Sequence, residues 1–114
     1  MRTGNVSGCT FCQIIKGEVS TNFVYKDEDM VAFYDIKPSA PVHVLIVPVE
    51  HIESINTLEE RHSYIISKMV LKAKDIARQL GIADTGYKLV INVGRGGGQI
   101  IFHLHIHLIG GWKR

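Results

Sequence analysis

His103-Leu104-His105-Ile106-His107-Leu108-Ile109 alternates imidazole with aliphatic side chains. In an extended strand, successive side chains leave on opposite faces. The stretch therefore predicts a strand, placed over Ile101–Ile109, with three imidazoles on one face and Leu104, Ile106 and Leu108 packed on the other. Half of the chain's 6 histidines sit on this ladder. Burying adjacent imidazoles without a task costs free energy, so a chance polar face is the weaker reading. A single three-histidine metal site fails on distance. Residues four apart in a strand are separated by roughly 13 Å, at about 3.3 Å per residue. Ligand nitrogens sit only about 2.0–2.1 Å from zinc. One end histidine must therefore have a role apart from the other two.

Just upstream, Gly94-Arg95-Gly96-Gly97-Gly98 forms a loop whose backbone can approach a ligand closely and whose N–H groups can cradle an anion. Taken alone, a flexible hairpin turn explains such a loop as well. Placed before a histidine ladder, it suggests a phosphate, because imidazole is neutral near pH 7, nucleophilic toward phosphorus and able to exchange protons.

The remaining chain supplies the scaffold. Phe11 to Gly17 predicts a short helix. Phe23-Val24-Tyr25 and Met30 to Tyr34 predict two strands around the polar turn Lys26-Asp27-Glu28-Asp29. After a loop marked by Pro38 and Pro41, His43 to Val47 adds an apolar run ended by Pro48. Apolar residues at Leu58, Tyr64, Ile65, Met69, Val70, Ala73, Ile76, Ala77 and Leu80 recur at helical spacing. They predict one long helix between Leu58 and Leu80, with Thr57 and Glu60 as a capping box and Gly81 as its stop. Tyr87 to Val93 reads as a further strand. The sum is an α+β fold, with a mostly antiparallel sheet, one long helix and one short helix.

Composition bounds the function. The 114 residues suit a single domain over 1–114, and 46% hydrophobic content is enough for one core. A formal net charge of +2, with its basic residues dispersed, argues against a nucleic-acid partner. No apolar run approaches the roughly 20 residues of a membrane span, and Met1 to Gly8 lacks the apolar stretch of a signal peptide. The expected compartment is the cytoplasm, with no membrane partner. A reducing compartment disfavours a structural disulfide between Cys9 and Cys12. Cys9-Thr10-Phe11-Cys12 has the spacing of one half of a zinc site, with a redox pair or two buried free thiols as the alternatives.

The sequence resembles the histidine triad (HIT) superfamily, whose signature His-apolar-His-apolar-His-apolar-apolar is matched in full by His103 to Ile109. The likeness extends over Cys9 to Gly17, Phe33 to Ile36, Ala40 to His43, Pro48 to His51, Asn92, and Gly97 to Gly111, and it is greatest to the Hint branch. It implies a homodimer whose two sheets join, and a purine nucleotide partner of the AMP or GMP type. It also implies hydrolysis at the α-phosphate of a nucleoside 5′-phosphoramidate. By position, His105 is the nucleophile that forms a nucleotidyl-histidine intermediate, His107 contacts the phosphate beside it, and His43 has a supporting catalytic role. Asn92 and the Gly98 amide match phosphate-site positions. Asp35 matches the residue that bonds the ribose hydroxyls, natural partners for its two oxygens, with a turn cap as the alternative. Phe11, Ile14, Val19, Phe33, Ile36 and Leu45 match the surroundings of the base, with core packing an equal reading for each. His62 is expected on the solvated face of the long helix.

The resemblance also implies a structural zinc held by Cys9, Cys12, His51 and His103, which would give the end histidine its separate task. No organic cofactor is called for. Two departures stand out. Ile100 occupies a position where family members often carry Ser or Thr, able to bond the phosphate or leaving group. The chain ends at Arg114, where Hint proteins run further into a tail that helps select substrates. The alternative functions are a hydrolase or transferase of dinucleoside polyphosphates or nucleotide esters, and a nucleotide-binding regulatory module with little catalysis.

Overall fold

The computed structural model describes residues 8–113. Met1–Ser7, the bulk of the stretch read for a signal peptide, and Arg114 lie outside the described residues. In chain order the elements are α1 (Thr10–Ile15), β1 (Phe23–Lys26), β2 (Met30–Tyr34), β3 (Val42–Pro48), α2 (Ser63–Gln79), β4 (Tyr87–Val90) and β5 (Ile106–Gly110). The five strands form one antiparallel sheet in the order β1-β2-β3-β5-β4. This is the expected α+β architecture. No helix among the described residues is long and apolar enough to cross a membrane.

The central strands are hydrophobic at nearly every position because both sheet faces are covered. Alternation then sorts the residues by partner. Met30, Ala32, Val44, Ile46, Ile106 and Leu108 pack with Ile65, Met69, Ala73, Ile76 and Ala77 of α2. Val31, Phe33, Leu45 and Val47 face the other way and pack with Phe11, Cys12 and Ile14 of α1. His107 pairs with Leu45, and His43 lies two residues before Leu45 on β3, so both imidazoles stand on the α1 face.

Three boundaries shift by three residues or more from the expectation. The last strand begins at Ile106, not Ile101, so His103 and His105 precede it. The β3–β5 register would place Leu104 opposite Pro48, which has no N–H to donate. The ladder stops there, and the Leu104 N–H bonds the Ile52 carbonyl instead, at 2.6 Å. The strand β4 ends at Val90, short of Val93.

The long helix starts at Ser63, after two short 3-10 turns at Ile55–Thr57 and Glu60–His62, because Leu58 is extended between them. The expected Thr57–Glu60 capping box is replaced by one between Ser54 and Thr57. His62 is not on a solvated face. It is 4% exposed, its Nδ1 accepts the Glu59 N–H, and its Nε2–H donates to Glu50 at 3.1 Å. Gly81 does stop the helix, at φ +79°, a conformation that glycine alone adopts without strain.

Candidate active site and metal cluster

The short helix α1 is built around its two cysteines. Cys9 is its N-cap, and its sulfur accepts the Cys12 N–H at 3.3 Å. His103, fully buried, donates from Nε2 to the Pro48 carbonyl at 2.8 Å. That bond leaves its Nδ1 lone pair aimed at sulfur, 3.3 Å from Cys9 and 3.6 Å from Cys12. His51 places Nδ1 3.3 Å from the Cys12 sulfur, and all four donor atoms lie within 4.8 Å of one another. A tetrahedral zinc with usual bond lengths sets sulfur–nitrogen separations of about 3.5 Å. Burial holds the His103 imidazole neutral, pushing its pKa down to about 4, with His51 and His105 adding to the effect.

The donor set therefore fits zinc. It offers two thiols and two imidazole lone pairs, and the far nitrogen of His103 is anchored as a ligating histidine's normally is. Four protein ligands would leave no open position for a reacting water. The structure brings together the four positions that the sequence singled out for metal.

Two residues along, His105 is 7% exposed and donates from Nδ1 to the His103 carbonyl at 2.7 Å. Its Nε2 is thereby left unprotonated. Burial also lowers its pKa from the ordinary histidine value, against opposing pulls from that carbonyl and from Asp35. The Phe11 ring meets the His105 ring edge-on, with centroids 5.0 Å apart, and touches the His103 ring at 5.9 Å. One aromatic side chain from between the two cysteines thus braces both imidazoles.

His107 has the opposite polarity. The Ser39 N–H donates to Nδ1 of His43 at 3.0 Å, so the His43 proton resides on Nε2. That Nε2 lies 2.9 Å from Nδ1 of His107, which must accept, leaving the His107 proton on its own Nε2. Burial first, then the neighbouring His105 and His43, lowers the His107 pKa to about 4, so this tautomer is neutral at pH 7. Asp35, His43 and His107 also bring three donor atoms within 4.8 Å. A metal there would have to displace the proton that Ser39 fixes on His43, so the trio is a hydrogen-bond relay. The site thus sets a lone pair on His105 beside an N–H on His107, with ring centroids 4.9 Å apart.

The glycine loop turns through a 3-10 segment at Arg95–Gly97. Asn92 donates to the Gly97 carbonyl at 2.8 Å. Gly98 has φ +90°, and a Cβ there would come within 3.3 Å of the Asn92 amide nitrogen, so both space and conformation require glycine. Asp35 caps a turn with one oxygen, its Oδ1 accepting the Lys37 N–H at 2.8 Å. Its Oδ2 lies 3.4 Å from His43.

Phe11, Ile14, Phe33 and Leu45 gather in one buried cluster on the histidine face. Val19 and Ile36 stay outside it, 42% and 92% exposed. Ile100 is 88% exposed. Gln99, which the sequence reading passed over, is buried and fully bonded at the end of the loop. Ser39 was also missed, because it acts through its backbone.

A family model, scavenger mRNA decapping enzyme C-term binding, matches residues 8–112. The chain is 43% identical over 101 residues to the purine nucleoside phosphoramidase of Escherichia coli (strain K12), covering 89% of this chain and 85% of that protein. It is 44% identical over 103 residues to a 14 kDa zinc-binding protein of Zea mays, with coverage of 89% and 80%. Among solved structures, the HIT family hydrolase from Legionella pneumophila Philadelphia 1 superposes with a TM-score of 0.91 at 42% identity, covering 93% of this chain and 95% of that one.

Proposed function

This chain belongs to the histidine triad superfamily, and we propose that it is a nucleotide hydrolase of the phosphoramidase type, acting on purine nucleoside 5′-phosphoramidates. The observation that carries the reading is the pair of opposite tautomers. His105 offers a lone pair at Nε2, and His107 offers a proton at Nε2. In the first step, His105 Nε2 attacks the α-phosphorus and the P–N bond breaks. The departing amine takes the His107 proton, and the nucleotidyl group rests on His105. In the second step, water attacks the phosphorus, its proton returns to His107, and the nucleoside monophosphate leaves with His105 restored.

Asn92 and Gly98 border the phosphate, the Gly98 N–H being held at rest by the Arg95 carbonyl at 3.0 Å, and Asp35 takes the ribose hydroxyls through the oxygen that now faces His43. Phe11, Ile14, Phe33 and Leu45 form the apolar floor for the base, with the exposed Val19 and Ile36 at its rim. Cys9, Cys12, His51 and His103 would hold a structural zinc, which supplies a crosslink between α1 and the segment before β5. A homodimer is supported by β4, which ends the sheet and exposes Leu89, and by the exposed Tyr64, Val70 and Leu71 on α2.

The test is release of AMP from an adenosine 5′-phosphoramidate. His105→Ala is expected to lower the rate by about three to six orders of magnitude, as for loss of a nucleophile. Equal rates in the two proteins, with AMP still bound, would favour a nucleotide-binding module.

The exposed apolar side chain of Ile100 supports a second reading. Without a hydroxyl there, dinucleoside polyphosphates and nucleotide esters with better leaving groups become competing substrates.

A further inference from the structure

Gln99 is a carboxamide only 3% exposed, and it is engaged on every side. Its Oε1 accepts the Gly94 N–H at 2.9 Å, while its Nε2 donates to the Glu53 carbonyl at 2.7 Å and the Ile101 carbonyl at 3.1 Å. Its main-chain N–H closes the loop onto the Gly94 carbonyl at 3.0 Å. Glu53 lies two residues after His51, and Ile101 two residues before His103. One side chain therefore ties the start of the glycine loop to both segments that carry the imidazole half of the metal cluster. The bond from the Leu104 N–H to the Ile52 carbonyl joins the same two segments.

The loop needs such an anchor. Its 3-10 turn has no buried residue, and glycine-rich backbone loses more entropy on ordering than any other. It can receive a phosphate reproducibly only if something outside the loop fixes its shape. At this position only a carboxamide supplies one acceptor and two donors at that reach. Glutamate keeps the acceptor and loses both donors. Methionine keeps the volume and loses all three groups.

We propose that Gln99 is a positioning residue that locks the phosphate loop to the segments bearing His51 and His103, so that anion binding and metal retention are linked. The identity of the anion as a nucleotide phosphate rests on the function proposed above. Linkage is reciprocal: if the held metal orders the loop for phosphate, bound phosphate must tighten the metal's binding by the same factor.

The test uses Zn²⁺-loaded wild type, Gln99→Met and Gln99→Glu. Each is titrated with AMP, and zinc affinity is measured by equilibrium competition with a chelator, with and without AMP. Gln99→Met is expected to bind AMP about tenfold more weakly, and AMP to raise zinc affinity about fivefold in wild type alone. A merely structural role would lower zinc affinity but leave the AMP effect intact. AMP affinity in Gln99→Met equal to wild type, or an AMP effect retained by either variant, overturns the proposal. If Gln99→Met does not fold, the AMP effect in Gln99→Glu decides. Wild type that binds no AMP would count against the nucleotide reading instead. Inorganic phosphate, titrated in parallel, would then still report the link between loop and metal.

Discussion

Nε2 of His43 stands 2.9 Å from Nδ1 of His107, across the β3–β5 ladder. His107 is paired with Leu45 and His43 with Ile109, so the two imidazoles are diagonal neighbours on one face of the sheet. The Ser39 N–H fixes which nitrogen of His43 carries the proton, and His43 fixes the same for His107. A backbone amide thereby sets the polarity of the group placed beside the nucleophile.

That relay makes His43 a positioning residue for proton transfer. His43→Ala is expected to slow the chemical step by about 10²–10⁴-fold, the range for a disabled general acid, while AMP affinity changes little. His43→Gln, whose amide can still donate to His107, should recover part of the rate. Single-turnover release of AMP, set beside equilibrium binding, separates the two effects. Equal losses in both variants would count against a donated proton as the purpose of the contact.

Acid sensitivity follows from the buried imidazoles. His107 and His103 have pKa values lowered to about 4, and His105 is lowered as well, in each case first by burial. Above the unfolded value of about 6.5 these groups are neutral in both states and leave stability untouched. As pH falls from about 6.5 toward 4, the unfolded chain takes up protons that the folded one refuses, so stability must fall. The urea midpoint is expected to drop between pH 7 and pH 5. Activity should decline in the same window, because protonated His105 has no lone pair. A midpoint that is flat or rising across that range would contradict the neutral assignments.

The sequence carried the fold because period 2 and period 3.6 were both clean; strand length showed only that one end histidine stands apart, and the family resemblance pointed to His103. It missed the start of β5, since the ladder ends for a reason in another strand, Pro48, whose register is invisible without the sheet. It misplaced His62, which helical spacing put in solvent and which a carboxylate twelve residues upstream pulls inside. Ser39 and Gln99 gave no signal, because one acts through backbone and the other through contacts with carbonyls distant in the chain.

Metal loss should loosen the nucleotide site as well as the fold. Six residues are too few for an independent helix, so α1 depends on what its cysteines bind. Purified protein is expected to hold one zinc per chain, and a Cys9→Ser, Cys12→Ser protein none. The substituted protein should melt at least about 4–8 °C lower, the shift that each kcal/mol produces in a small domain. Its AMP affinity should fall too, because Phe11, from between the two cysteines, would no longer brace His105. Equal metal content in the two proteins would remove the cluster from the account.

Ile100 offers a test of leaving-group preference that leaves the scaffold alone. At 88% exposure its replacement should change stability by no more than about 0.5 kcal/mol either way. Ile100→Ser restores a hydroxyl at a position where an isoleucine side chain can neither donate nor accept a hydrogen bond. A bond formed only as charge develops on the departing group helps poor leaving groups most, and an amine is poorer than a nucleotide phosphate. The ratio of kcat/KM for an adenosine phosphoramidate to that for a dinucleoside polyphosphate should therefore rise by about tenfold, the worth of one hydrogen bond of about 1.4 kcal/mol. A ratio unchanged by the substitution would mean that His107 alone supplies the proton, and that the exposed isoleucine does not set substrate choice.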